Sequence, residues 1–169
     1  GRLGLSGQVE SYAAIVVLNL LEDGNIDEKE VKHALEQQLK LLRQKDEQLS
    51  SKIKYVAFNY NGEKQIRAGK IYPRVSQLLQ TDATATTKCF IAKESSTQPE
   101  HKQRVVFRVN CLDCNVRTNV VQSFMARHML GAQLIALQLA SANMLTEDIV
   151  TAHQQVWVSS SLGSSSLGS

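Results

Sequence analysis

Strand-length runs of β-branched residues alternate along this chain with segments of helical periodicity, and that alternation narrows the available folds more than any other feature. Tyr12 to Leu21 reads as a buried strand ended by the turn Asp23-Gly24-Asn25. From Ile26 to Leu49 the apolar residues Val31, Leu35, Leu39 and Leu42 step by three and four, and Asp27 with Glu30 has the form of a capping box, so an amphipathic helix is expected there. Lys52 to Asn59 alternates as a second strand, and Tyr60-Asn61-Gly62 follows as a turn. Pro73 suits the first turn of a helix reaching Gln80. Lys88 to Ala92 reads as a short strand between polar loops, and Arg104 to Val109 as a compact apolar strand. Thr118 to Leu139 is helical in pattern with a bend expected at Gly131, and a last helix, Thr146 to Trp157, opens on a Thr cap and an acidic first turn. The order βαβαββαα predicts an α/β domain whose helices flank a largely parallel central sheet.

With 169 residues the chain has room for one domain. The tail 159–169 repeats Ser-Ser-Ser-Leu-Gly-Ser, too polar and glycine-rich to bury itself, so the folded core is expected over 8–158 with a flexible tail behind it. No apolar run approaches the ~20 residues of a membrane span, and the first residues lack the apolar block of a signal peptide. Three cysteines are too few for a disulfide framework, and with the other features they point to a reducing, cytoplasmic setting. Charge is unevenly spread: residues 51–80 carry six basic side chains against Glu63, and residues 101–130 carry five against Asp113, while both flanks are acidic. That polarity suits an anionic ligand or an anionic membrane surface. Aromatic residues are 5% of the chain and not interleaved with the basic stretches, which argues against nucleic acid.

The chemistry concentrates where the strand ending at Val109 passes through Asn110-Cys111-Leu112-Asp113-Cys114-Asn115-Val116-Arg117 onto a helix. In a loop of that length the amides of Leu112, Cys114, Asn115, Val116 and Arg117 can turn inward and, with the helix N-terminus, form a phosphate-sized anion cradle. Such surroundings favour the thiolate of Cys111. In-line attack on phosphorus would give a phosphocysteine that water hydrolyses. Arg117 would grip two phosphoryl oxygens, Thr118 would hydrogen-bond the departing sulfur, and Asp113 is the candidate proton donor. The scheme uses no metal or cofactor. Cys111-x-x-Cys114 at a helix start also fits a thiol oxidoreductase, although Arg117-Thr118-Asn119 has no task in disulfide exchange. A zinc site would need Cys89 or a stray histidine to join the pair.

The run Arg108-Val109-Asn110-Cys111-Leu112-Asp113-Cys114, then Arg117-Thr118-Asn119-Val120-Val121-Gln122, resembles the signature R-x-N-C-x-D-C-L-D-R-T-N-x-x-Q of the Sac-domain phosphoinositide phosphatases. Asn19-Leu20-Leu21, the strand Lys52 to Asn59 and Val156-Trp157 echo the same family. The resemblance implies phosphate-monoester hydrolysis on inositol-lipid head groups, at the cytosolic face of membranes, by the catalytic core alone. The family's N-terminal lobe has no counterpart, so that lobe or a regulatory protein would act as a partner. One departure stands out: Asn115-Val116 replaces the family's Leu-Asp, which leaves Asp113 as the only acid of the loop. If the missing aspartate is the general acid, ~10²–10⁴ in rate is lost and the chain becomes a phosphoinositide-binding or scaffolding module.

Around this centre, Asn110, Asn119 and Gln122 are expected to brace the loop, and Arg108 to pair with Asp113 or reach a second phosphate. Cys114 is expected to pack the loop and His128 to be a satisfied core histidine, while Lys64, Arg67, Lys70 and Arg74 could face anionic lipid.

Overall fold

A computed structural model describes residues 13–62, 71–80, 89–92, 97–141 and 146–165. Lys64, Arg67, Lys70 and Lys88, and the start of the strand expected at Tyr12, lie outside them. The elements run β1 (Ala14–Asn19), α1 (Ile26–Lys45), α2 (Glu47–Lys52), β2 (Ile53–Ala57), α3 (Ile71–Gln80), β3 (Val105–Asn110), α4 (Val116–Ala136) and α5 (Glu147–Ser165). The strands form one parallel sheet in the order β2-β1-β3. The expected α/β class and parallel sheet are therefore present.

β1 is central and buried on both faces, as continuous apolar strands of parallel sheets are. Ile15 and Val17 point to one face, where Leu39 and the partly buried Leu35 and Leu42 of α1 cover them. Leu18 points to the other, against Val75 and Leu79 of α3 and Val121 and Met125 of α4. Each such fully covered side chain contributes about 1.5–3 kcal/mol relative to leaving it in water. α1 thus lies on one face of the sheet and α3 with α4 on the other.

The single helix expected through Leu49 is broken. Asp46 is extended (φ −146°), donates its amide to the Leu42 carbonyl and caps α2 by accepting from the Leu49 amide at 2.9 Å. The apolar stripe continues across the break because Leu49 still packs with Leu39 and Ile53. The cap of α1 is not Asp27 with Glu30 but Asn25, whose Oδ1 accepts from the amides of Asp27 and Glu28.

The strand expected at Lys88–Ala92 is, among the described residues, only an antiparallel bridge of Ile91 with His101 outside the sheet. α4 begins at Val116, two residues before the expected Thr118, and runs through the buried Gly131 without interruption. α5 continues past Trp157 to Ser165, into the sequence expected to be a flexible tail. His128, expected to be a satisfied core histidine, is half-buried, its Nδ1 3.1 Å from the Ser76 hydroxyl of α3. Among the described residues no helix is long and apolar enough to cross a membrane.

Candidate active site at the carboxyl end of the sheet

β1 and β3 end side by side, Asn19 opposite Asn110, and the chain leaves them in opposite directions. After β1 it turns to α1 on one face; after β3 it turns to α4 on the other. Parallel sheets bind ligands in the crevice that such a divergence opens. Asn19, fully buried, shapes its floor. Its Oδ1 accepts from the Leu21 amide at 3.4 Å and its Nδ2 donates to the Tyr55 hydroxyl at 3.0 Å, which in turn donates to Glu36 at 2.8 Å. Burial first, then the Glu36 carboxylate, pushes the Tyr55 phenol up to about 12.

Cys111 follows directly on β3 and is buried, its Sγ donating to Asp113 Oδ1 at 3.1 Å. The same Asp113 oxygen accepts from the Asn115 amide at 3.2 Å. These two bonds, the thiol's first, hold the exposed Asp113 carboxyl below its usual range, so in this arrangement it is an anion facing a thiol. The bend closes through Cys114 at φ 51°, a left-handed conformation that costs a non-glycine residue roughly 1–2 kcal/mol. Cys114 does not pack the loop as expected. It is exposed, and its Sγ donates to the carbonyl of Cys111 at 3.1 Å; both cysteines are free thiols. Arg117, expected to end a loop, is instead the second residue of α4. The helix N-cap, Asn115, makes no side-chain capping bond, so the amides of the first turn have no side chain of the cap to satisfy them.

Arg117 reaches across the crevice to α1. Its Nη2 and Nη1 donate to Glu28 Oε1 at 2.5 Å and Oε2 at 3.1 Å, and Nη1 also approaches the Leu20 carbonyl at 3.4 Å. Glu28 is buried and accepts a further bond from the Glu22 amide at 2.9 Å. The guanidinium beside it holds the Glu28 carboxyl below the ordinary range. Glu28 foremost drives the Arg117 guanidinium further toward the charged form.

Thr118 is buried on the next position of α4, and its hydroxyl has no hydrogen-bond partner. A buried unpartnered hydroxyl is costly and uncommon. Arg108 does not pair with Asp113 through its Nε, which donates to Asn110 Oδ1 at 3.3 Å. Asn110 joins the strands through its carbonyl, which accepts the Leu20 amide at 2.8 Å. The Asn119 amide closes the first turn on Asn115, while the exposed Gln122 lines a cleft with Phe107 and Met129 on the outer edge of β3. Leu112 and Val116 are exposed beside the bend. Glu28 is not among the residues expected above, and Asn19 appears there only within the family-like run Asn19-Leu20-Leu21, with no role at the site. Asn25 with Glu28 three residues on has the capping-box spacing, two residues before the pair Asp27 and Glu30, but its glutamate serves the crevice instead of its own helix.

A thiol, a carboxylate and a guanidinium thus stand at the start of α4, and sequence comparisons give the family. No protein-family model matches the chain. The chain is 32% identical over 127 residues to inositol-1,4,5-trisphosphate 5-phosphatase 1 of Schizosaccharomyces pombe, covering 75% of this chain and 11% of that protein. It is 32% identical over 129 residues to phosphatidylinositol-3-phosphatase SAC1-B of Danio rerio (75% and 20%), and 29% identical over 158 residues to synaptojanin-1 of Rattus norvegicus (86% and 9%). The chain thus belongs, as a segment, to the Sac-domain phosphoinositide phosphatase family. It spans about a tenth to a fifth of the length of these relatives.

Proposed function

We propose that the chain is the catalytic segment of a phosphoinositide phosphatase that acts on inositol-lipid head groups at an anionic membrane surface. The observation that carries the reading is the contact of Cys111 with Asp113 beside Arg117, at the uncapped start of α4. An arriving phosphate is drawn to the first-turn amides and to Arg117. The Cys111 thiol passes its proton to Asp113, the sulfur attacks phosphorus, and the bond from phosphorus to the inositol oxygen breaks. That oxygen takes the proton from Asp113, which is restored as the carboxylate. Asp113 can therefore serve as the acid although it rests ionised, because the nucleophile itself supplies the proton. Water then hydrolyses the phosphocysteine, and the unpartnered Thr118 hydroxyl is within one residue of the clamp to hydrogen-bond the leaving sulfur. The substrate class rests on the family, whose matched relatives are named as inositol-phosphate and phosphatidylinositol phosphatases.

A second reading, a module that holds phosphoinositide without turnover, is favoured by Val116. It stands 65% exposed at the helix start where the family motif places an aspartate. Phosphate release from short-chain phosphoinositides by the full chain decides between the two. Release that disappears in Cys111→Ser supports the enzyme. Head-group binding without release supports the module, and absence of both removes the Sac-type site.

A further inference from the structure

We infer that Glu28 is a positioning residue which holds Arg117 by the edge between its two terminal nitrogens and so reserves the Nε–Nη2 edge for phosphate; this rests on the phosphatase reading above. A guanidinium carries five N–H groups in a plane and can grip a tetrahedral oxyanion along one edge at a time. In this chain Glu28 takes one proton from each terminal nitrogen, and Leu20 takes the other proton of Nη1. What remains is Nε–H and the second Nη2 proton, which lie side by side along the flank of the guanidinium.

Glu28 is well suited to the task. It is 7% exposed, its second oxygen is fixed by the Glu22 amide, and it sits in the first turn of α1, anchored by the Asn25 cap. A buried carboxylate fixed by the Glu22 amide on a backbone capped by Asn25 resists following the arginine if the arginine swings toward a ligand. The pair therefore restricts Arg117 to one rotamer before phosphate arrives, which lowers the entropy lost on binding. The opposite possibility is that Glu28 competes with phosphate for the same charge; then removing its charge would tighten binding.

The test is titration of the full chain with inorganic phosphate, comparing wild type and Glu28→Gln, with circular dichroism and melting to confirm folding. A fall of tenfold or more in affinity for Glu28→Gln supports the inference, and unchanged or tighter binding overturns it. Should the variant fail to fold, the wild-type chain gives the answer by NMR. A shift of the Arg117 Nε–H resonance on adding phosphate supports the assignment, whereas phosphate bound without any shift there overturns it. A wild type that neither binds phosphate nor releases it from phosphoinositides overturns the functional reading itself, and with it this one.

Discussion

Glu28 and Arg117, 89 residues apart in sequence, form a two-pronged ion pair that ties the first turn of α1 to the first turn of α4 across the end of the sheet. Breaking a buried pair by removing one partner leaves an uncompensated charge, so Glu28→Ala should cost about 3–5 kcal/mol in denaturant unfolding.

The same pair makes stability depend on acid. The Glu28 carboxyl titrates below its ordinary value of 4.5 in the folded chain. A depressed carboxyl contributes stability above the unfolded value and loses it as pH falls through the folded one. Urea midpoints measured downward from neutral pH should therefore decline below about pH 5, and the decline should be shallower in Glu28→Gln.

Tyr55→Phe tests the polar floor of the crevice. It removes the acceptor of the fully buried Asn19 amide and the donor to Glu36, so a loss of about 1–3 kcal/mol is expected by equilibrium unfolding. In the native chain the Tyr55 phenol, raised to about 12, favours the folded state while protonated. Its contribution is complete below the ordinary value of 10.0 and is lost as pH rises from there through 12.

Thr118→Val should separate stability from chemistry. The substitution keeps the side-chain shape and replaces a buried hydroxyl that has no partner, so the melting temperature should hold or rise. Phosphate release should nevertheless fall, by about tenfold for a hydrogen bond worth 1.4 kcal/mol in the hydrolysis step. A variant that melts higher and turns over as fast would remove Thr118 from the reaction.

Cys114→Gly should raise stability by roughly 1 kcal/mol, because glycine adopts φ 51° without the steric cost that cysteine bears. Comparison with Cys114→Val, expected to lower the melting point, separates backbone strain from loss of the thiol.

The strands were legible because β1 is a continuous buried apolar run and β3 is a compact, largely apolar run of strand length that buries Val105 and Val109, and the parallel order followed from helices between them. The break at Asp46 was not. Its signal is one residue, and the apolar stripe that reads as a helix continues past it to Leu49. The start of α4 was placed late because Asn115 provides no side-chain cap, leaving only Thr118 as a visible signal. At the site, Cys111, Asp113 and Arg117 could be found together because seven consecutive residues hold them. Glu28 could not, since its role depends on α1 and α4 lying on opposite faces and meeting at their N-termini. No local pattern encodes that meeting.

The covalent step is the most direct test of the account. Rapid quenching of the full chain during turnover of a short-chain phosphoinositide, followed by mass spectrometry of the peptide containing Cys111, should reveal a phosphate adduct on that sulfur. The adduct should be absent in Cys111→Ser and should accumulate in Thr118→Val. Phosphate release that proceeds with no adduct and at an equal rate in Cys111→Ser would contradict it.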